Sequence, residues 1–500
     1  MVSRYVLVLD AGTSGGRCLV FDGEGRITGL DTGEWTYLAE ENVPSLARAF
    51  DPQGVWLTFC RLIANSLKSA GITTREVSAI SVTSQRQAVV FLDEDGREVY
   101  AGPNTDLRAV FEGAAIDDQM RDRVYCATGH LPSFLFAPAK LRWFQHHRPE
   151  SYNKIAAVLS LADWLVWRLT GNLAGETTLA CEAGLVDINR REWCSELMSE
   201  MGLLNGALPL VNAGTMAGNV CGPAAQDSGL PRGTPVAVAG ADTQCGLLGM
   251  GVTREPQTGI VAGWSTAVQM ATSQPVLSPE GKTWAGCGLN PDGWVLESSP
   301  GDTGNSYRWL SEMFYKGYKD AFAEMDRLAS SVPIGSEGTS AFLGPARMDI
   351  SKLGMRMGGF YFPVPLTFSA PGPGHMARAS LEAIAYAVKA NLEQIEGLAG
   401  VAATDVTVGG GMTRSSTWTR ILADVLDREL KVVASPQVSG MGAYLSACTA
   451  LGEYGSLDEA AQEARTRLLS LEPDPLASAE YQDYYAGWLR MASDLQALEP

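Results

Sequence analysis

Tyr5-Val6-Leu7-Val8-Leu9-Asp10-Ala11-Gly12-Thr13-Ser14-Gly15-Gly16-Arg17-Cys18-Leu19-Val20-Phe21 is the stretch whose reading decides the fold. Two runs of alternating β-formers, Tyr5 to Leu9 and Cys18 to Phe21, flank a glycine-rich turn, and that pattern predicts a β-hairpin. Glycines let the backbone turn tightly and approach a ligand. Successive N–H groups and the Thr13 hydroxyl can receive phosphate oxygens. Asp10, a carboxylate at a strand end, is placed to hold magnesium through water. The same residues also suit an ordinary Asp-Gly hairpin turn. No G-x-x-x-x-G-K-[ST] is present, so this is not a Walker A loop. No G-x-G-x-x-G opens a helix after the first strand, which disfavours a Rossmann-type dehydrogenase.

Working outward, the pattern recurs about 250 residues on. Gly259 to Ala262 and Ala267 to Met270 flank Gly263-Trp264-Ser265-Thr266. Two such hairpins suggest two related halves. Between them, helix-like and strand-like segments alternate, as in an α/β protein. Strands are expected at Val77 to Thr83, Ala88 to Asp93 and Pro235 to Ala239. A helix with Trp164 and Trp167 in the core is expected over Ser160 to Leu169. In the second half, Leu381, Ile384, Ala385, Val388, Leu392 and Ile395 keep helical spacing. A strand at Asp405 to Val408 ends in Gly409-Gly410-Gly411, and a helix follows with Trp418, Ile421, Leu422, Val425 and Leu426 on one face. Ser456 to Leu469 and Ser478 to Leu495 read as a closing helical tail. Thr253-Arg254-Glu255-Pro256 breaks the pattern, so the domains are expected at 1–252 and 253–500.

Composition narrows the function. Lys and Arg number 38 against 56 Asp and Glu, a net charge of −18, which argues against nucleic acid or an anionic membrane as partner. Charged residues are only 19% and glycines number 54, the profile of an ordered enzyme with many tight loops. Nine Cys without a C-x-x-C pair read as buried free thiols in a reducing cytosol, and four His make no metal cluster. No signal peptide or membrane span is expected, and the chain reads as soluble and cytoplasmic.

Three glycine loops after strands, at Gly12, Gly263 and Gly410, make a nucleotide cleft between the halves plausible. Asp242 stands in Gly240-Ala241-Asp242-Thr243-Gln244 among small apolar residues, where an acid is costly unless hydrogen-bonded or useful. As a general base it could accept a hydroxyl proton during phosphoryl transfer. It also suits a loop Asp capping the next helix. Ser84-Gln85-Arg86-Gln87 and Asn104-Thr105-Asp106-Leu107-Arg108 offer the polar groups that several ligand hydroxyls need. Surface salt-bridging is the plainer use of the same residues.

In this order the pieces resemble the FGGY carbohydrate kinases of the actin/hexokinase-like superfamily. The matching motifs are D-x-G-T at Asp10 to Thr13, the strand end Ser84 to Gln87, D-x-R at Asp106 to Arg108, Ala139-Lys140-Leu141-Arg142-Trp143, and G-x-D at Gly240 to Asp242. G-x-S at Gly263 to Ser265, Arg378-x-x-x-Glu382, and Gly409 to Trp418 with Ile421-Leu422-Ala423-Asp424 complete them. The resemblance implies two ribonuclease-H-like α/β domains around a central cleft that takes ATP, Mg2+ and a small sugar or polyol. It implies Asp242 as catalytic base, with Asp10 and Asp242 organising the metal. Gln85, Arg86, Gln87, Asp106, Asp242 and Thr243 would meet the sugar. Gly12, Thr13, Ser14, Gly263, Ser265, Thr266, Gly304, Gly410, Gly411 and Ser415 would meet the nucleotide. A homodimer is left open.

Within that family, xylulose kinases typically show M-H and D-N where this chain has Gln85-Arg86 and Asp242-Thr243, and their G-E-R-x-P loop is replaced near Leu343 to Met348. Glycerol kinases show Q-R-E and D-Q-Q, with a W-x-D-x-R loop in which Asn104 here replaces Trp. The N-x-D-x-R loop and D-x-Q base are most similar to autoinducer-2 kinase. A kinase acting on a small ketose or polyol-like compound is therefore expected. The competing class is a non-catalytic, nucleotide-gated sensor or chaperone-like module on the same scaffold.

Overall fold

The computed structural model describes residues 5–38, 46–204, 206–351, 357–367 and 370–496. Tyr5–Ala11 and Gly15–Phe21 form the expected antiparallel hairpin, and Ile27–Glu34 extends it. On its other side Tyr5–Ala11 pairs parallel with Val77–Ser84, which pairs parallel with Pro235–Ala241. Met216–Asn219 closes that edge antiparallel.

The second half repeats this order. Thr258–Ala262 forms a hairpin with Thr266–Thr272, and Trp294–Gly301 extends it. On the other side Thr258–Ala262 pairs parallel with Val406–Gly409, which pairs parallel with Leu430–Val433. Leu468–Leu471 closes the edge antiparallel. Six strands therefore correspond one to one, and the two hairpins are the repeated element that the sequence displays. The second sheet adds one strand, Trp284–Cys287.

Both faces of the first sheet's central strands are buried. Leu7, Leu9 and Ala11 pack with Val55, Trp56, Phe59 and Leu62 of the helix Pro52–Ala70. That helix starts on Pro52, which lacks the N–H a first turn would orphan, and ends at Gly71 with φ +70°. Val6 and Val8, on the opposite face, pack with Ala443, Tyr444 and Ala447 from the helix Val438–Ala450. Strand residues pointing alternately to two covered faces explain why the run Val6 to Leu9 is continuously apolar. The second sheet is covered by the long helix Pro373–Ala399, whose Leu381, Ile384, Ala385, Val388 and Ile395 are buried, and by Ser416–Leu426.

Three expectations change. The stretch Ser456 to Leu469 is not one helix: Leu457–Arg465 is helical, but Leu468–Leu471 leaves it as a strand. The edge of Leu430–Val433 offers unpaired backbone groups there, and the ladder from Val433↔Leu468 to Leu430↔Leu471 satisfies them. Trp164 is buried, whereas Trp167 is only partly so. All nine cysteines are free, and Cys126 is exposed rather than buried.

The halves interlock beyond their boundary. Trp284 Nε1 donates to the Leu131 carbonyl (2.6 Å), Trp294 Nε1 to that of Ile188 (2.7 Å), and Tyr125 OH to that of Thr283 (2.8 Å). The strand Trp284–Cys287 and its flanks thus form an arm of the second half seated on the first.

Candidate active site

The three parallel strands of the first sheet end level: Ala11 is opposite Ser84, and Ser84 opposite Ala241. Asp10, the Gln85–Gln87 loop and Asp242 therefore share one carboxyl edge, where open α/β sheets bind ligands. The helix Asp242–Gly249 starts there, and Asp242 Oδ1 accepts from the Thr243 N–H (2.9 Å). The residue is partly exposed at that edge. Burial, with the nearby Asp10 and Glu182 charges, pushes its carboxyl up to about 7 against the pull of Arg86. Glu176, Thr178 and the Ala241 N–H fix this strand end. Thr178 Oγ1 donates to Glu176 Oε2 (2.6 Å) and accepts from Ala241 N (3.1 Å).

Arg86 is the centre of a buried network. Its Nη1 and Nη2 donate to the two oxygens of Glu297 (2.5 and 2.9 Å), its Nη1 also to Glu182 (3.3 Å), and its guanidinium lies 5.4 Å from the Trp284 ring centroid. Burial opposes the charge, but the two carboxylates hold the Arg86 pKa above its ordinary value. Gln87 Nε2 (3.3 Å) and Gln244 Nε2 (2.8 Å) also donate to Glu182. Burial alone would raise the Glu182 carboxyl, yet Arg86 and His130 bring it down to about 2. Gln87 itself has φ +60°, and its carbonyl accepts from Lys140 (3.3 Å), a lysine that burial lowers to about 8.

Not every expected ligand residue faces the cleft. Gln85 is buried and staples loops together, its side chain bridging the Gly12 carbonyl (3.0 Å) and the Asn104 N–H (3.2 Å). Asp106 is wholly buried, accepting from Arg48 N (2.8 Å), Arg108 Nε (2.7 Å) and the Tyr100 hydroxyl. With both oxygens engaged it shapes the loop rather than presenting a free carboxylate. Thr13 takes Asn104 Nδ2 on its hydroxyl (3.1 Å), leaving Ser14 exposed beside it. Thr243 Oγ1 donates to Gln244 Oε1 (2.7 Å).

In the second half Val261 is opposite Gly409, so the Gly263 and Gly410 loops leave one edge together. Gly410 has φ +108°, and a Cβ on it would stand 2.5 Å from the Ala262 carbonyl oxygen; Gly411 opens onto free space. A Cβ on Gly304 would meet the Gly263 carbonyl oxygen at 2.2 Å, so the helix Thr303–Phe314 starts in contact with that loop. Ser265 is exposed, whereas Thr266 is buried with its hydroxyl on that of Thr303 (2.6 Å). Ser415 caps the helix Ser416–Leu426, accepting from Trp418 N (2.9 Å) while its hydroxyl donates to Asp326.

Glu182, Glu297, Gln269 and Gln244 were not among the expected site residues. Gln244 adjoins the G-x-D motif, but Glu297 meets Arg86 across 211 positions, and no local pattern links them.

Among the described residues no helix is long and apolar enough to cross a membrane. Residues 5–249 match the N-terminal domain, and residues 259–451 the C-terminal domain, of the FGGY family of carbohydrate kinases. The autoinducer-2 kinase of Salmonella paratyphi A is 30% identical over 516 aligned positions, covering 99% of this chain and 95% of that protein. That of Escherichia coli SMS-3-5 is 30% identical over 511, covering 98% and 94%. The solved xylulose kinase of Rhodospirillum rubrum superposes with a TM-score of 0.83 at 24% identity, covering 99% of both chains. Plasmodium falciparum glycerol kinase, solved with ADP, gives 0.84 at 18%, covering 100% and 99%. The relationship supports a sugar kinase, transferring phosphoryl from ATP, over a non-catalytic sensor: the chain belongs to the FGGY family of carbohydrate kinases.

Proposed function

We propose that the chain transfers the γ-phosphoryl group of magnesium-ATP to a hydroxyl of a small ketose or polyol-like compound, of the xylulose or autoinducer-2 type. What carries the reading is Asp242, partly open at the carboxyl edge of the sheet, with a carboxyl pushed up to about 7. A general base works best when its pKa lies near the working pH. Asp242 accepts the proton of the attacking hydroxyl. Arg86, Gln87 and Thr243 hydrogen-bond neighbouring hydroxyls and fix which one reacts. The loops Gly12 to Ser14, Gly263 to Ser265, Gly304 and Gly410 to Ser415 receive the nucleotide.

Asp10 and Asp242 act on each other electrostatically, and among the described residues no three His, Cys, Asp or Glu form a cage. Two carboxylates suit magnesium, which keeps waters and takes phosphate oxygens rather than an all-protein shell. When bound there, the ion supplies neutralisation of phosphate charge. The test is ADP release against a panel of pentuloses, polyols and the autoinducer-2 precursor. Turnover of a ketose or polyol is expected; none with any member overturns the reading.

A further inference from the structure

Arg86 would be the natural partner of a negatively charged sugar, because a guanidinium grips a carboxylate through two parallel N–H···O bonds. In this structure that fork is already taken. Glu297, on the strand Trp294–Gly301 of the second half, accepts from Nη1 at 2.5 Å and from Nη2 at 2.9 Å, and Glu182 adds a third contact at 3.3 Å. Glu297 is in turn held by Gln269 Nε2 (2.7 Å), and it is buried along with Glu182. Arg86 thus sits among two buried carboxylates, with His130 Nε2 3.5 Å from Glu182 and the Asp242 and Asp10 charges nearby.

The neighbouring cations are committed elsewhere. Lys140 donates to the carbonyls of Gln87 and Leu135 (3.3 and 2.9 Å), and Arg108 is paired with Asp106. Arg17, partly open, lies 3.6 Å from Asp10 and donates to Gln437 (2.8 Å). An entering carboxylate would have to displace Glu297 from the fork and leave it buried without its partner, a costly state. A neutral polyol meets no such barrier, since its hydroxyls can share the remaining lone pairs of Glu182 and Glu297 as donors.

We infer that Glu297 is a specificity-determining residue: by occupying the Arg86 fork from the opposite half, it restricts the acceptor to uncharged polyhydroxy compounds and rejects sugar acids. The inference rests on the sugar pocket proposed above.

Calorimetric binding and ADP release with xylulose, xylitol and xylonate, with matching four- and six-carbon sets, test it on the intact chain. Wild type should prefer neutral acceptors to the corresponding aldonates by tenfold or more. Glu297→Gln keeps the shape but removes the charge, and should narrow that preference by at least tenfold. Glu297→Asp should retain most of it. Aldonates accepted as well as neutral compounds by wild type overturn the inference alone. So does a Glu297→Gln protein that weakens both classes equally, since that is the mark of a merely structural pair. Should Glu297→Gln fail to fold by its melting curve, the wild-type ratio and Glu297→Asp decide. Turnover with no acceptor of either charge overturns the kinase substrate reading and this inference with it.

Discussion

Gly442 lies so close to Cys245 that a Cβ built on it would stand 1.8 Å from the Cys245 carbonyl oxygen. The two residues sit on Val438–Ala450 and Asp242–Gly249, helices that follow corresponding strands of the two halves. Gly249 is equally tight, 2.2 Å from the Val438 carbonyl oxygen by the same construction. The halves are thus joined at a glycine crossing one turn beyond Asp242, and the base is aimed partly by how closely these helices approach.

Gly442→Ala is accordingly expected to cost about 1–3 kcal/mol, the range for overpacking. The Tm should fall by several degrees. Gly397→Ala is the control. It lies inside the helix Pro373–Ala399 with open space around it, so replacing glycine by alanine should gain roughly 0.5–1 kcal/mol. Thermal melts of the two variants should move in opposite directions. A Gly442→Ala protein as stable as wild type would show that the helices separate without cost.

Asp242→Asn tests the base, and two readouts should move oppositely. Turnover should fall by on the order of 10²–10⁴ with ATP affinity nearly unchanged. Stability should rise at alkaline pH. The folded carboxyl sits near 7 against an ordinary 3.8, so between those values the folded chain binds more protons than the unfolded one. The protonated form's contribution is complete below about pH 4 and lost as pH rises through 7. Asp163 and Glu176, which burial also pushes up to about 7, act with the same sign. Wild-type kcat should climb through pH 7 while the melting temperature declines, and Asp242→Asn should recover part of that decline. Near-wild-type turnover would remove Asp242 from the chemistry.

The glycine loop after Val406–Gly409 separates space for ligand from space for backbone. Gly411→Val adds a side chain where nothing stands, so it should weaken nucleotide binding tenfold or more at an unchanged melting temperature. Gly410→Val must also give up φ +108° and push on the Ala262 backbone, so it should lose stability as well. Calorimetric titration with ATP beside melting curves distinguishes them. Full ATP affinity in Gly411→Val would place the nucleotide elsewhere.

What sequence could and could not disclose follows from range. The hairpins at Asp10 and Gly263 were legible because period-2 patterning and glycine turns are local. So was the Asp242 loop, an acid among small residues at a strand end. Asp106 and Thr266 carried the right motif letters, but whether an oxygen faces a cleft depends on Tyr100, Arg108 and Thr303, which close over them. Glu182 and Glu297 stood in no motif at all. Both meet Arg86 only in the folded chain: Glu182 from 96 positions away within the first half, and Glu297 from 211 positions away, across from the second. Leu468–Leu471 misled for a related reason: a helical pattern was outbid by a sheet edge in need of a partner.

Closure of the cleft is the remaining expectation. Phosphoryl transfer competes with water, so a cleft kinase gains by completing its site only when both substrates are present. Asp242 belongs to the first half, while Ser265 and the Gly410 loop belong to the second. The connection Thr253 to Thr258 is a compact turn, with the Thr253 and Arg254 N–H groups both donating to Gln257 Oε1 at 3.0 Å. The arm is tied to the first half through Leu131, Ile188 and Tyr125, and Arg191 adds bonds to the carbonyls of Gly293 (2.8 Å) and Gly288 (3.1 Å). The moving body is therefore expected to be the nucleotide lobe without its arm, swinging about the Thr253 to Thr258 turn and the glycine crossing on the microsecond-to-millisecond scale. Small-angle scattering should show a smaller radius of gyration with acceptor and a non-hydrolysable ATP analogue together than with either alone. Amide exchange should slow in the Gly263 and Gly410 loops while the arm stays unchanged. An undiminished radius at saturation with both ligands would count against closure, and altered exchange along Trp284–Cys287 would show the arm moving with the lobe.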